Sequence, residues 1–333
     1  MFWRYIWYDS RIGRLRSGWR VALYLLVFVP LLVYLEQFLL IGAGGDQAEL
    51  AKMPRHLNML IEALAIISAS LGASIWALQA LERLPATTLC LTGGWRAMRD
   101  TLSGLGVGVA LILLLLLAWV AVGLCTLHGQ PPPGQAVMLL PIVGLMLLNA
   151  LSMTLLFQGY LFQTLLRGSG PLTALAVSAG LYALYFGLND HTVTILAFVN
   201  LFLLGLACGM LFLRTRSLWW PTGFIAGWNL CEFLFRLPGS ERGLASPLPL
   251  AARVTANLWL TGGAFGPEGG LVASGLLGAT LVVLTLPRVG LPLQSGWWNW
   301  HEFARVNLPL PWDFTINGRQ YQWKLPARDS AEN

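Results

Sequence analysis

Long apolar runs alternate with short polar connections along almost the whole chain, and each run is close to the length at which a helix crosses a bilayer. The runs fall at roughly 21–43, 57–80, 102–126, 137–166, 171–188, 192–213, 218–236 and 270–286, the fifth and eighth being the shortest. About 30 Å of hydrocarbon takes about 20 helical residues, and a helix in lipid satisfies its own backbone groups. The pattern predicts an all-α polytopic membrane protein of about eight transmembrane helices.

On either side of these runs the pattern changes. Residues 1–20, MFWRYIWYDSRIGRLRSGWR, mix aromatics with arginines, as expected of a segment lying among lipid headgroups. The connector 127–135 holds Pro131, Pro132 and Pro133 without formal charge, which predicts a stiff outer link, and 237–269 is the longest outer connection. From Pro287 the chain is polar and rich in tryptophan. Here DFTINGRQYQWK sets Asn317-Gly318 between two alternating runs, a strong hairpin signal because a type I′ turn needs positive φ at both central residues. Three parts follow: an interfacial segment over 1–20, a transmembrane domain over 21–286, and a cytoplasmic tail over 287–333 that carries a short β-hairpin. Trp297, Trp298, Trp300, Trp312 and Trp323 of the tail read first as aromatics resting on the membrane interface, and second as candidates for docking a partner subunit.

Composition agrees: 56% of residues are hydrophobic and 11% charged, against about 25% charged in soluble domains. With eight spans and an inside N-terminus, all but five of the 21 Lys and Arg fall on the cytoplasmic pieces, the five being Lys52, Arg55, Arg236, Arg242 and Arg253. This distribution places both termini in the cytoplasm and the protein in a cell (inner) membrane. It also assigns the net charge of +6 to the membrane face rather than to nucleic acid. The first run, about 23 residues, exceeds the 7–15 of a signal-peptide core, so it reads as an uncleaved span. Cys90, Cys125, Cys208 and Cys231 are scattered without a CxxC pair and read as inert buried thiols.

Intramembrane ionisable residues are the first candidates for chemistry. Glu36 and Glu62 sit within the first two spans, where an opposed Arg or backbone donor makes them interhelical glue. Glu232 and Arg236, four apart, can pair along one helix face. Asp190, His191 and Glu232 all lie toward the outer side and are the residue types that hold a metal, although no spacing forces them together. Gly159, Gly168, Gly205, Gly209, Gly223 and Gly227 recur near four-residue steps and read as close helix contacts.

One phrase is more particular. FQGYL at 157–161, followed by Leu165-Leu166-Arg167-Gly168 and Gly170-Pro171, resembles the CAAX-protease and bacteriocin-processing (CPBP, or Abi) group of intramembrane metalloproteases. GRLRSGWR, LRTRSLWWPTGFIAGWN and LTGGAFGPEGG recur in the same order, so the resemblance extends from about residue 13 to 286. It implies a CPBP-like helical bundle. The family's E-E-x-x-x-R motif falls on Met153, Thr154 and Gln158, its F-x-x-x-H motif on Tyr182 and Phe186, and its H-x-x-x-N motif on Ile225 and Asn229. Of these, only the asparagine is kept. Metal-assisted hydrolysis needs His, Cys or carboxylate ligands and a group that exchanges a proton with water, and this set offers neither.

The expectation is a pseudoprotease: a CPBP-like protein without catalysis or cofactor, working beside a membrane-protein partner as adaptor, assembly factor or accessory subunit. Two alternatives are an active intramembrane metalloprotease with unfamiliar ligands, drawn from Asp190, His191 and Glu232, and a pigment- or cofactor-binding subunit of an energy-converting complex, which 15 tryptophans would permit.

Overall fold

A computed structural model describes residues 8–9, 14–42, 54–91, 93–129, 139–189, 193–239, 246, 248–254, 257, 259–286, 313–316 and 319–322. The helices are α1 (Ser17–Gly42), α2 (Arg55–Ala77), α3 (Trp95–Ala121), α4 (Leu139–Gln158), α5 (Tyr160–Ser169), α6 (Pro171–Asn189), α7 (Ile195–Thr215), α8 (Trp219–Leu234) and α9 (Leu271–Thr285). These are the eight predicted runs, with the fourth divided in two. Six spans among the described residues are long and apolar enough to cross a membrane, α4 and α5 together making one of them; outside these six, α8 has 16 residues and α9 has 15. The fifth run, expected to be short, forms a 19-residue helix.

On α1, Leu26, Tyr34, Phe38 and Ile41 are each more than 60% exposed, a face that lipid tolerates and water does not. Such faces on helices of spanning length make the chain a multi-pass membrane protein. Pro30 sits inside α1, as proline can where a bilayer and neighbouring helices support the turn.

The core is built around α4, which packs against α2, α6, α7 and α8. Every residue from Ser152 to Gln158 is buried, as in a helix that is apolar on all sides. Helices α3 and α8 approach most closely. A Cβ at Gly104 or Gly108 of α3 would fall on the carbonyls of Trp220 or Phe224, and one at Gly223 or Gly227 of α8 on those of Thr101 or Leu105. Two small-xxx-small stripes thus interlock, bringing backbone against backbone where no hydrophobic force distinguishes helix from lipid. The α6–α7 contact repeats the device, with Gly205 against Ala179 and Gly209 against Leu175.

Local chemistry sets the breaks. At Gly159 a Cβ would overlap the carbonyl of Leu155, and here the predicted single span divides into α4 and α5. Gly170, with φ of +93°, ends α5 and Pro171 opens α6, glycine past one helix end and proline at the next start.

Two polar joins tie distant segments. After α2 the chain makes one π-helical turn, Leu78–Glu82, which carries Glu82 inward until it is 1% exposed. Its carboxylate accepts from Arg20 of α1 at 2.9 Å, from Arg167 of α5 at 2.8 Å and from Thr164 Oγ1 at 2.9 Å. Ser17 and Ser169 meet beside it at 2.6 Å. At the other join, Asn200 of α7 donates to the carbonyls of Glu268 (2.6 Å) and Gly270 (2.9 Å) and accepts from Ser274 (2.7 Å). Trp228 Nε1 of α8 donates to the Glu268 carboxylate at 2.9 Å, holding the turn before α9 to the bundle.

Three two-stranded antiparallel ribbons complete the described structure. The first pairs β1 (Tyr8–Asp9) with β2 (Arg14–Leu15) inside the predicted interfacial segment. The second pairs β3 (Cys125–Gly129) with β4 (Leu250–Val254), Cys125 opposite Val254. The two connections that the sequence showed as separate outer loops are therefore laced together. The third is the predicted hairpin: β5 (Asp313–Ile316) pairs with β6 (Arg319–Gln322), Ile316 opposite Arg319, while the two turn residues lie outside the described residues.

Candidate functional site

The seven motif positions lie on α4, α6 and α8. Met153, Thr154 and Gln158 share the buried second half of α4, at 4%, 0% and 0% exposure. Tyr182 and Phe186 are one turn apart on α6, and Ile225 and Asn229 one turn apart on α8. Met153, Tyr182 and Ile225 belong to one continuous apolar core, and Phe186 packs at its edge.

What the site offers is packing. Phe157 meets the ring of Tyr182 edge-on at 5.2 Å, Tyr182 meets Phe186 at 4.9 Å, and Tyr185 meets Phe186 at 5.3 Å. Such pairs add to the area they bury through the ring quadrupoles. The hydroxyl of Thr154 donates to the carbonyl of Ala150 at 2.8 Å, within its own helix. Ser178 of α6 donates to Phe157 O at 2.9 Å, pinning α6 to α4. The Gln158 amide makes no hydrogen bond among the described residues, although its backbone carbonyl accepts from Gln163 Nε2 at 3.4 Å. Asn229 is half-buried on α8.

Other candidates are placed differently from their sequence reading. Glu62 accepts from the phenol of Tyr185 at 2.9 Å, so its described partner is a tyrosine of α6 rather than an arginine or backbone donor. Helix α8 ends at Leu234, so Arg236 lies beyond the helix that carries Glu232; Arg236, at φ of +53°, donates to the carbonyl of Ser246 at 3.4 Å. Glu232 itself is buried on α8, while Asp190 and His191 lie outside the described residues, as do Trp297, Trp298, Trp300, Trp312 and Trp323. Among the described residues no three His, Cys, Asp or Glu side chains stand close enough to hold a metal ion. All four cysteines are free and buried, and burial pushes the Cys90 thiol up to about 11 against the opposing pull of Arg216 and Arg167.

The sequence pattern does not reveal the most concentrated polar group, Glu82 with Arg20, Thr164 and Arg167. Glu82 stands two residues beyond its apolar run, where it looks like loop, and the arginines read as topology signals alone. The available signal is that GRLRSGWR ends on Arg20 and FQGYLFQTLLRGSGP holds Arg167, two arginines set at the edges of apolar runs.

Fold and site together define an all-α polytopic membrane protein whose helices α4, α6 and α8 carry the motif positions at a packed interior. The family described as Type II CAAX prenyl endopeptidase Rce1-like matches residues 135–231, a segment that contains all seven positions. Over these residues, under a third of the chain, it is similar to that family of CAAX-type membrane proteases. No curated protein matches it, and no solved structure does.

Proposed function

We propose that this chain is a non-catalytic CPBP protein, a pseudoprotease serving as adaptor, assembly factor or accessory subunit of a membrane-protein complex. One observation carries the reading. Where the family's motif would set two acids, an arginine and two histidines, this chain has Met153, Thr154, Gln158, Phe186 and Ile225. Thioether, aliphatic and aromatic groups do not hold zinc, and a threonine turned onto its own helix carbonyl is a poor proton acceptor. Replacing groups that are expensive to bury unpaired by apolar bulk keeps the interior filled, so the frame outlasts the chemistry.

The supports for a partner are indirect: a preserved bundle, the multi-helix membrane setting and the tryptophan-rich tail from Pro287. In this reading the tail faces the cytoplasm and its tryptophans, Trp297 to Trp323, meet the partner. Purification from native membranes in a mild detergent is expected to yield a complex with a second membrane protein in fixed ratio. Trimming the tail after Leu286 should lower that ratio. A strictly solitary particle at every detergent strength would refute the proposal.

A further inference from the structure

Polar side chains on α1, α2 and α5 line up at helical spacing and face one another. Arg20 and Tyr24 are one turn apart on α1, Ser70 and Ser74 one turn apart on α2, and Tyr160, Thr164 and Arg167 follow one face of α5. The tyrosine rings touch across α1 and α5, with centroids 5.0 Å apart. Tyr24 Oη faces Ser70 and Ser74 without reaching bonding geometry, and Tyr160 Oη stands likewise beside the Glu82 carboxylate. The stripe therefore runs from the ion pairs of Glu82 inward to Ser70, twelve residues back along the same helix, a depth of about 18 Å. It begins at the π-helical turn, a distortion that often accompanies functional sites.

Tyr24, Ser70 and Tyr160 are 0%, 1% and 0% exposed, and among the described residues none of their hydroxyls has a neighbour in full hydrogen-bond geometry. The Nε atoms of Arg20 and Arg167 are also without one, although both guanidiniums hold Glu82 through their terminal nitrogens. Nearly all buried polar atoms in folded proteins are bonded, to protein or to water. Here the atoms are of complementary kind. The two Nε–H groups can only donate, whereas each hydroxyl can donate and accept. A water molecule between them accepts from one side and donates to the other, and such a site needs two to four polar neighbours.

We propose that this stripe is a water-binding site within the membrane domain. Ordered water entering at the Glu82 end bridges Tyr24, Ser70 and Tyr160 and completes the bonding of Arg20 and Arg167. The groups that hold it are hydroxyls and guanidiniums, which bind water without converting it to a nucleophile. The proposal is independent of whether the chain has a partner or an activity.

Millisecond X-ray hydroxyl-radical footprinting of the full chain in lipid nanodiscs, read by mass spectrometry, tests it. Radicals form from water itself, so a buried side chain is labelled quickly only when water is bound beside it. Tyr24 and Tyr160 are expected to be modified several-fold faster than Phe162 and Phe212, rings of 0% exposure that pack against each other. The double variant Tyr24→Phe, Ser70→Val, with an unchanged tryptophan-fluorescence melt, should bring Tyr160 down to the level of those phenylalanines. Labelling of the wild-type tyrosines no faster than Phe162 and Phe212 would overturn the proposal, and so would undiminished labelling of Tyr160 in the folded double variant.

Discussion

Glu82→Leu is expected to destabilise the bundle by about 3–5 kcal/mol, the range for removing one partner of a buried ion pair. The carboxylate is 1% exposed and holds two guanidiniums whose side chains are only 6% and 12% exposed, so solvent screens little of the loss. Leucine would leave both cations buried without their anion, beside a Thr164 hydroxyl deprived of its acceptor. Arg167→Met should cost less, because Glu82 keeps Arg20 at 2.9 Å. Adding Arg20→Met and Arg167→Met to Glu82→Leu should recover much of the loss, since well-packed apolar groups can replace a buried ionic cluster nearly without penalty. Thermal unfolding in one detergent, followed by tryptophan fluorescence, ranks the variants. Glu82→Leu melting with the wild type would show that the cluster contributes nothing.

The second large effect belongs to the α3–α8 contact. Gly108→Leu places a Cβ on the Phe224 carbonyl and 2.7 Å from the Trp228 nitrogen, atoms that cannot swing aside. Overpacking commonly costs about 1–3 kcal/mol, and with backbone as the obstacle the upper end is expected. Helices α3 and α8 would have to part, disturbing Ile225 and the bond from Trp228 to Glu268. Gly106→Leu is the control, since nothing lies within 4 Å of its Cβ. The expected outcome is a sharp fall in folded yield and melting temperature for the first change and neither for the second. Equal behaviour of the two would remove close backbone packing as the reason for these glycines.

The spans are legible in the sequence because lipid imposes one rule on every residue that faces it, and Leu-rich runs near 20 residues are rare outside membranes. The hairpin at 313–322 is legible for a local reason, Asn317-Gly318 between alternating strands. What escapes depends on residues far apart in sequence. Nothing near Cys125 announces its pairing with Val254 across more than a hundred residues, and nothing near Glu82 announces Arg167. Gly223 and Gly227 are recognisable as packing positions, but their counterparts Gly104 and Gly108 are hidden in a leucine-rich run whose partner the pattern does not name. The division at Gly159 is invisible because the apolar run continues unbroken across it. At the motif positions the residue types are plain from sequence, and the structure adds where they sit: Met153, Tyr182 and Ile225 in one core, with Thr154 bonded to its own helix.

Catalytic silence at these positions is most directly tested by the metal content of the full-length protein, purified without chelator and assayed for cleavage of prenylated peptides. Less than about a tenth of an equivalent of zinc, together with no cleavage, is the expected result for a chain in which Met153, Phe186 and Ile225 stand at the motif's ligand positions. Near-stoichiometric zinc with cleavage that disappears on Thr154→Val or Asn229→Leu would contradict it.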